Sequence, residues 1–206
     1  MQLIDPHLPE WQFQEQHGLW VKGVETHRLF DAIEPALRAL DPVIESAIAL
    51  RELPGRWLQQ LGWGGQQLPA RPFGYDSFTR LGHTPGREVV FGLAGQFTYI
   101  VIRRIEAGRE VVFGLAGQFW RMDYGLVKFA DAKAFSQLQS VPKLVLDVRL
   151  EPTEGACLLL TRTRVLCPDA SSRRRFTPYW YLIRPVSGLI RRRLLGRIRS
   201  LAQTAP

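Results

Sequence analysis

One local pair of side chains in this sequence is suited to acid–base chemistry, Glu15 and His17. Residues 11–22 alternate between apolar and polar types, which predicts a half-buried strand with both side chains on its apolar side. Their spacing of two residues predicts a separation of about 7 Å, too far for a direct hydrogen bond without a third group. His17 is then either an ordinary core histidine with one satisfied hydrogen bond or a polar contact for a ligand.

Other signatures of chemistry are missing from the sequence. It has no P-loop, no GxSxG motif and no paired-cysteine motif. The four histidines lack metal-ligand spacing: His7, His17, His27 and His83. Cys157 and Cys167 fall in one predicted strand, about 33 Å apart if it is extended, so they cannot pair within it. The sequence therefore predicts no catalytic residue set, no metal and no cofactor. The two unpaired cysteines predict reduced thiols and a cytoplasmic protein.

Two adjacent strands are predicted over residues 143–152 and 156–167, because both segments alternate. Leu144, Leu146, Val148 and Leu150 form the inward set of the first strand. The charged side chains predicted to face outward are Lys143, Asp147, Arg149, Glu151, Arg162 and Arg164. Thr161 and Thr163 share the other face of the second strand with aliphatic residues. This mixture reflects either the strand preference of threonine or a cavity with a few polar anchors.

A long C-terminal helix is predicted from Asp169 to Gln203. Apolar residues recur there at spacings of three and four: Phe176, Trp180, Ile183, Ile190, Leu194, Ile198 and Leu201. Asp169 is placed to cap the N-terminus. About 33 helical residues span roughly 50 Å, so the apolar stripe needs a sheet or a groove to lie in.

Positive charge is concentrated in this helix. The chain has 27 basic and 19 acidic side chains, a net charge of +8. Nine arginines follow Asp169 and no acidic residue does, so the first 169 residues hold 18 basic and 19 acidic groups, a balance of −1. The arginines form either a solvated outer face or a surface for anionic lipid or nucleic acid. The residues predicted for that surface are Arg173, Arg174, Arg184, Arg191, Arg192 and Arg199.

The remaining segments predict a single domain over residues 1–206. They comprise a helix from Thr26 to about Leu40, a short helix starting at Asp41-Pro42, and a Gly- and Pro-rich loop over 62–74. Residues 86–97 recur without substitution at 108–119, an internal duplication with a 22-residue shift. No apolar run is long enough to cross a membrane, and the first residues do not resemble a secretory signal.

The order of elements is strand, two helices, several antiparallel strands and a long C-terminal helix, and with this order the sequence resembles a known family. The segments that carry the resemblance are Glu15 with His17, residues 51–54, residues 108–112 running to 117–120, Arg175-Phe176, Tyr179-Trp180 and residues 183–192. They are similar to the START-like, SRPBCC superfamily, in a bacterial branch described as polyketide cyclase-like. The match covers nearly the whole chain, although the duplication departs from the usual single copy.

This resemblance implies an α+β helix-grip fold, in which a curved antiparallel sheet wraps around the C-terminal helix and encloses an apolar cavity. It also implies binding of a small hydrophobic ligand that is lipid-, polyketide- or isoprenoid-like, with no catalysis evident. The residues predicted to line the site are His17, Phe113, Leu146, Val148, Thr161, Thr163, Trp180 and Ile183. The alternatives are an aromatase/cyclase-type enzyme that uses Glu15 and His17, and docking to an anionic membrane or nucleic acid through the arginine-rich helix.

Overall fold

The computed structural model describes residues 8–38, 78–84, 88–93, 110–121, 125–127, 129 and 132–204. In chain order, its elements are β1 (Phe13–Lys22), α1 (Thr26–Arg38), β2 (Phe78–Thr84), β3 (Glu88–Leu93), β4 (Glu110–Ala116), α2 (Ala132–Gln137), β5 (Lys143–Thr153), β6 (Ala156–Leu166) and α3 (Ala170–Thr204). The predicted second helix near Asp41 and the loop over 62–74 lie outside the described residues.

Four strands form one antiparallel sheet in the order β1-β6-β5-β4. The long helix α3 contacts β1 and β6 and also packs against α1. An open antiparallel sheet that carries one long C-terminal helix is the α+β helix-grip arrangement, so the predicted fold class is confirmed. In the turn between β5 and β6, Gly155 takes the left-handed conformation with φ of 73° that its place in a tight turn requires.

The two copies of the duplicated segment belong to different sheets. The strand of the first copy, β3, pairs with β2 in a separate two-stranded sheet. The strand of the second copy, β4, pairs with β5 in the four-stranded sheet. Identical sequence therefore forms a strand in both places but with different partners, and the segment between the copies, residues 98–107, lies outside the described residues.

The helix α3 begins as its sequence predicts. Both carboxylate oxygens of Asp169 accept hydrogen bonds from Ser172, from the backbone N–H at 2.8 Å and from Oγ at 2.8 Å. These bonds hold the pKa of Asp169 below its ordinary value. The helix then runs for 35 residues, about 52 Å at the usual rise, and it continues through Pro178 and Pro185.

Two apolar clusters lie under α3, at opposite ends. Near its start is an aromatic cluster of Phe13, Phe119, Val165, Cys167, Phe176 and Trp180. Near its end is an aliphatic cluster that includes Val21, Leu29, Ile33, Leu159, Leu195, Ile198 and Ala202. The second cluster contains the inward face of α1, because Leu29 and Ile33 are buried. The apolar stripe of α3 thus packs at both ends.

The opposite face of the sheet is also covered, which corrects one expectation. Lys143, Asp147, Arg162 and Arg164 are predicted to face outward, yet they are buried, with Asp147 only 1% exposed. A third apolar cluster of Leu8, Val112, Ala116, Phe129, Phe135 and Val145 lies on that side and includes a residue of the short helix α2. The alternation assigned the faces correctly, but a second layer, which the sequence pattern did not reveal, shields the outward face.

Candidate functional site

A group of polar side chains lies between the two apolar clusters under α3. We call Glu15, His17, Thr161, Thr163 and Arg191 the polar cluster. The register of β1 and β6 builds most of it, because Glu15 pairs with Thr163 and His17 pairs with Thr161. The flanking pairs on the same face are apolar: Phe13 with Val165 on one side, Leu19 with Leu159 on the other. Two polar pairs of residues thus interrupt an otherwise apolar face.

The same register extends across β5 and β4 and unites the strand residues predicted from the sequence. Thr161 pairs with Val148, and Thr163 pairs with Leu146, which in turn pairs with Phe113. Phe113 and Val148 belong to the aliphatic cluster, and Leu146 packs against it. The six predicted strand residues therefore share the face that α3 covers: His17, Phe113, Leu146, Val148, Thr161 and Thr163.

The two predicted helix residues are placed differently. Trp180 is buried in the aromatic cluster, where its ring centroid lies 5.7 Å from that of Phe13 and 5.9 Å from that of Phe176. Ile183 is half-buried one turn further along α3. Trp180 is thus packed at the aromatic end rather than inside the polar cluster.

Glu15 and His17 are in direct contact, which corrects the separation expected from the sequence. His17 Nε2 lies 2.7 Å from Glu15 Oε1, so no third group is needed to join them. The expected 7 Å is the spacing of residues along a strand, whereas a glutamate has three rotatable bonds and its carboxylate can fold back to the ring. The His17 side chain is 19% exposed and that of Glu15 is 5% exposed. An imidazole oriented by a carboxylate is therefore held under the helix.

The helix approaches this pair through a residue without a side chain. A β-carbon built on Gly188 would lie 3.2 Å from His17 Cε1 and 3.3 Å from Glu15 Oε1. Both distances are shorter than ordinary van der Waals contact, so only glycine fits here without displacing a neighbour. The glycine brings the helix backbone directly onto the acid–base pair.

Arg191 joins the cluster one turn after Gly188, and it was wrongly placed on the outer arginine surface. Its Nη1 donates to Thr161 Oγ1 at 3.0 Å, and its Nε donates to Ser187 Oγ at 3.3 Å. Burial lowers the pKa of Arg191 to about 10, while the negative charges of Glu15 and Asp147 act in the opposite direction. The guanidinium is still charged at pH 7. A spacing of three from Gly188 and four to Leu195 was the signal that could have placed it on the inner face.

Two polar atoms of the cluster are left without a partner. Glu15 Oε2 and Thr163 Oγ1 are inaccessible to solvent, and neither has a hydrogen-bond partner within the part of the chain that the structure describes. Glu15 is 6% exposed and Thr163 is 2% exposed. Since the two residues pair across β1 and β6, both unsatisfied atoms belong to one place on the helix-facing side.

The polar cluster is connected through the sheet to a buried ion pair on the other face. Thr161 Oγ1 donates to the backbone oxygen of Asp147 at 2.9 Å, which orients the hydroxyl so that it accepts from Arg191. The Asp147 carboxylate accepts from Arg162 Nη2 at 2.6 Å. Nearby, Arg164 stacks on Trp11 with its Cζ 3.7 Å from the ring centroid. The strand that carries the threonines is therefore fixed from both sides.

Metal binding and thiol chemistry find no support in the described ranges. No group of three or more His, Cys, Asp and Glu side chains is arranged there to hold a metal ion. Cys157 and Cys167 are free and buried. Burial raises the pKa of both thiols, that of Cys167 to about 11, so neither is a thiolate at neutral pH.

The other predicted surface arginines are exposed along α3: Arg173, Arg174, Arg184, Arg192 and Arg199. Docking of this surface to anionic vesicles or to DNA stays a prediction, which salt-sensitive binding would test. Among the described residues, no helix combines the length and the hydrophobicity needed to cross a membrane.

No family model and no curated protein matches the sequence. Solved structures that are similar include the di-domain ARO/CYC StfQ from the steffimycin biosynthetic pathway, at 10% identity and a TM-score of 0.46, covering 92% of this chain and 50% of StfQ. The chain thus spans about half the length of StfQ.

Two further solved structures are similar along nearly their whole length. Ara h 8.0201 is 12% identical with a TM-score of 0.41, and the match covers 91% of this chain and 99% of that one. A conserved protein from Geobacillus kaustophilus is 9% identical with a TM-score of 0.40, and the match covers 93% and 95%.

Proposed function

We propose that this protein binds a small, mostly apolar molecule between α3 and the face of the sheet that it covers. The polar cluster holds the polar end of that molecule. The observation that carries the proposal is the pair of buried, unpartnered atoms, Glu15 Oε2 and Thr163 Oγ1. They lie between two apolar clusters, which supply surfaces for the rest of a ligand.

Leaving these two atoms without a hydrogen bond costs folding free energy. A buried polar group without a hydrogen bond destabilises a folded protein by about 1–3 kcal/mol, and more if it is charged. Such groups are rare in folded proteins, and each requires a specific explanation. A ligand whose polar end meets Glu15 and Thr163 removes this cost only when it is bound, so the unsatisfied atoms favour binding.

A fluorescence titration with N-phenyl-1-naphthylamine, a neutral apolar dye, tests the proposal. We expect the native protein to bind one dye per chain with an increase in emission. The double variant Thr161→Leu with Thr163→Leu makes the wall apolar and also larger, and it should change the dissociation constant by about tenfold, which corresponds to about 1.4 kcal/mol.

Thr153→Leu is the matched control, because Thr153 is exposed at the end of β5 and should leave dye binding unchanged. Thr163→Val separates shape from polarity, since it replaces the hydroxyl group by a methyl group of similar size. If the native protein takes up no dye and native mass spectrometry finds no small molecule that co-purifies with it, the proposal is wrong.

One observation favours a second function, an enzyme that moves a proton to or from a bound ligand. His17 is held by Glu15 at 2.7 Å through Nε2, and this leaves Nδ1 to accept a proton. In this scheme Nδ1 removes a proton from the carbon next to a carbonyl group, the carbon–hydrogen electron pair forms an enolate, and the positive charge of Arg191 stabilises the enolate oxygen.

Deuterium exchange into benzoylacetone, a 1,3-diketone, tests this second function by NMR. We expect the native protein to accelerate exchange above the rate in buffer and His17→Gln to lose the acceleration while still binding dye. Exchange at the buffer rate with the native protein would leave binding as the function.

A further inference from the structure

The polar cluster contains two opposite charges that do not form an ion pair with each other. Glu15 directs one carboxylate oxygen to His17 and leaves the other without a partner. Arg191 donates to two hydroxyl groups, and within the described ranges no carboxylate oxygen lies close enough to it to form a salt bridge. The negative charge of Glu15 nevertheless acts on Arg191, because it opposes the lowering of the Arg191 pKa by burial.

This arrangement presents a ligand with an acceptor and a donor in one neutral site. An anionic ligand would be attracted by Arg191 but would meet the Glu15 carboxylate, and a cationic ligand would meet Arg191. An ether or a ketone could accept from Arg191 but would leave Glu15 Oε2 unsatisfied. A hydroxyl group both donates and accepts, so it can satisfy both residues at once.

We infer that the polar end of the ligand is a hydroxyl group, as in an alcohol, an enol or a phenol. This hydroxyl group donates a hydrogen bond to Glu15 Oε2 and accepts one from Arg191. This inference rests on the proposed binding function. Thr163 Oγ1 lies across the strand pair from Glu15 and can make a further hydrogen bond to the same group. The site selects hydroxylated apolar molecules over their ethers and over carboxylates.

The expected selectivity follows from one charge-assisted hydrogen bond. Such a bond contributes about 1.5–3 kcal/mol, which corresponds to roughly a 10- to 150-fold difference in the dissociation constant. A ligand that lacks the donor loses this contribution and also leaves the carboxylate oxygen buried and unpaired, as happens when a site built for a hydroxyl meets an analogue without one.

Three naphthalenes of nearly equal size test the inference. We would measure how 2-naphthol, 2-methoxynaphthalene and 2-naphthoate displace N-phenyl-1-naphthylamine from the full-length protein at pH 7. We expect 2-naphthol to bind at least tenfold more tightly than the other two. Glu15→Gln should abolish its advantage over the methyl ether, because the amide can still accept from His17 but then directs an N–H donor at the ligand.

Glu25→Gln is the control, because the Glu25 side chain is 74% exposed and should leave the ranking unchanged. The ranking in the native protein decides the inference even if Glu15→Gln fails to fold. If the dye does not bind, the proposed function fails together with the inference. If the dye binds but the three compounds displace it equally, or 2-naphthoate displaces it best, the inference alone is overturned.

Discussion

Replacing Gly188 by alanine tests whether α3 lies directly on the Glu15–His17 pair. In a helix interior, glycine is about 1 kcal/mol less favourable than alanine, so this change alone should stabilise the protein. The new β-carbon, however, would lie 3.2 Å from His17 Cε1 and 3.3 Å from Glu15 Oε1. Both side chains are held by their mutual hydrogen bond, and Glu15 is buried, so they have little room to retreat.

A matched control exists in the same helix. A β-carbon on Gly196 would meet nothing within 4 Å, so Gly196→Ala should gain about 0.5–1 kcal/mol in the free energy of unfolding. Overpacking a tight contact costs about 1–3 kcal/mol, so Gly188→Ala should be less stable than Gly196→Ala by about that amount. Urea unfolding with equal m-values would measure the difference.

A double-mutant cycle with His17→Ala identifies the source of the difference. Shortening His17 removes the ring that the new β-carbon meets, so Gly188→Ala should be better tolerated in that background, with a coupling energy of about 0.5–3 kcal/mol. If Gly188→Ala stabilises the native protein as much as Gly196→Ala does, the helix does not lie on the pair and the reasoning is refuted.

Two predictions concern the surroundings of the site. Asp147→Asn should destabilise the protein by about 3–5 kcal/mol in urea unfolding, because it removes the carboxylate from a buried guanidinium. The double variant Asp147→Leu with Arg162→Met should recover much of the loss. Equal stability of Asp147→Asn and the native protein would contradict this prediction. At pH 8, iodoacetamide should modify Cys167 roughly 100-fold more slowly in the native protein than in urea. The reason is that burial raises the thiol pKa from 9.0 to about 11, which lowers the fraction of thiolate. Equal rates would show that the thiol is not buried.

The raised pKa of Cys167 also sets the sign of a pH dependence. Between pH 9 and about 11, the unfolded chain loses the thiol proton while the folded protein keeps it. The contribution of Cys167 to stability is therefore present at neutral pH and is lost as the pH rises through this window. Cys167→Ala should flatten the loss of stability in the same window.

Those parts of the fold that depend on a repeating pattern were predictable from the sequence. The apolar spacing of three and four, together with Asp169, located α3 and its N-cap. Strand alternation placed Thr161 and Thr163 on the face that the helix covers, because a strand has only two faces and aliphatic residues mark the inner one. These two regularities predicted α3 and the faces of the strands, whereas the order of the elements and the resemblance to the START-like superfamily predicted the fold class.

The contacts that complete the site were not predictable, because they depend on tertiary packing. Arg191 was assigned with the other arginines to the helix face opposite the apolar stripe, whereas the close approach of the helix at Gly188 carries it inward to Thr161. The distance between Glu15 and His17 depends on rotamers, which residue spacing does not fix. The burial of Asp147 depends on a second layer whose sequence has no strong periodicity.

The most direct test of ligand binding at the polar cluster is a long-range nitrogen–proton NMR titration of the imidazole rings. His27, whose side chain is 68% exposed, serves as an internal reference. We predict that saturating N-phenyl-1-naphthylamine shifts the ring nitrogens of His17 in a one-to-one titration and leaves those of His27 unchanged. If the dye binds and the His17 nitrogens do not respond, the ligand binds elsewhere and the proposed site is wrong.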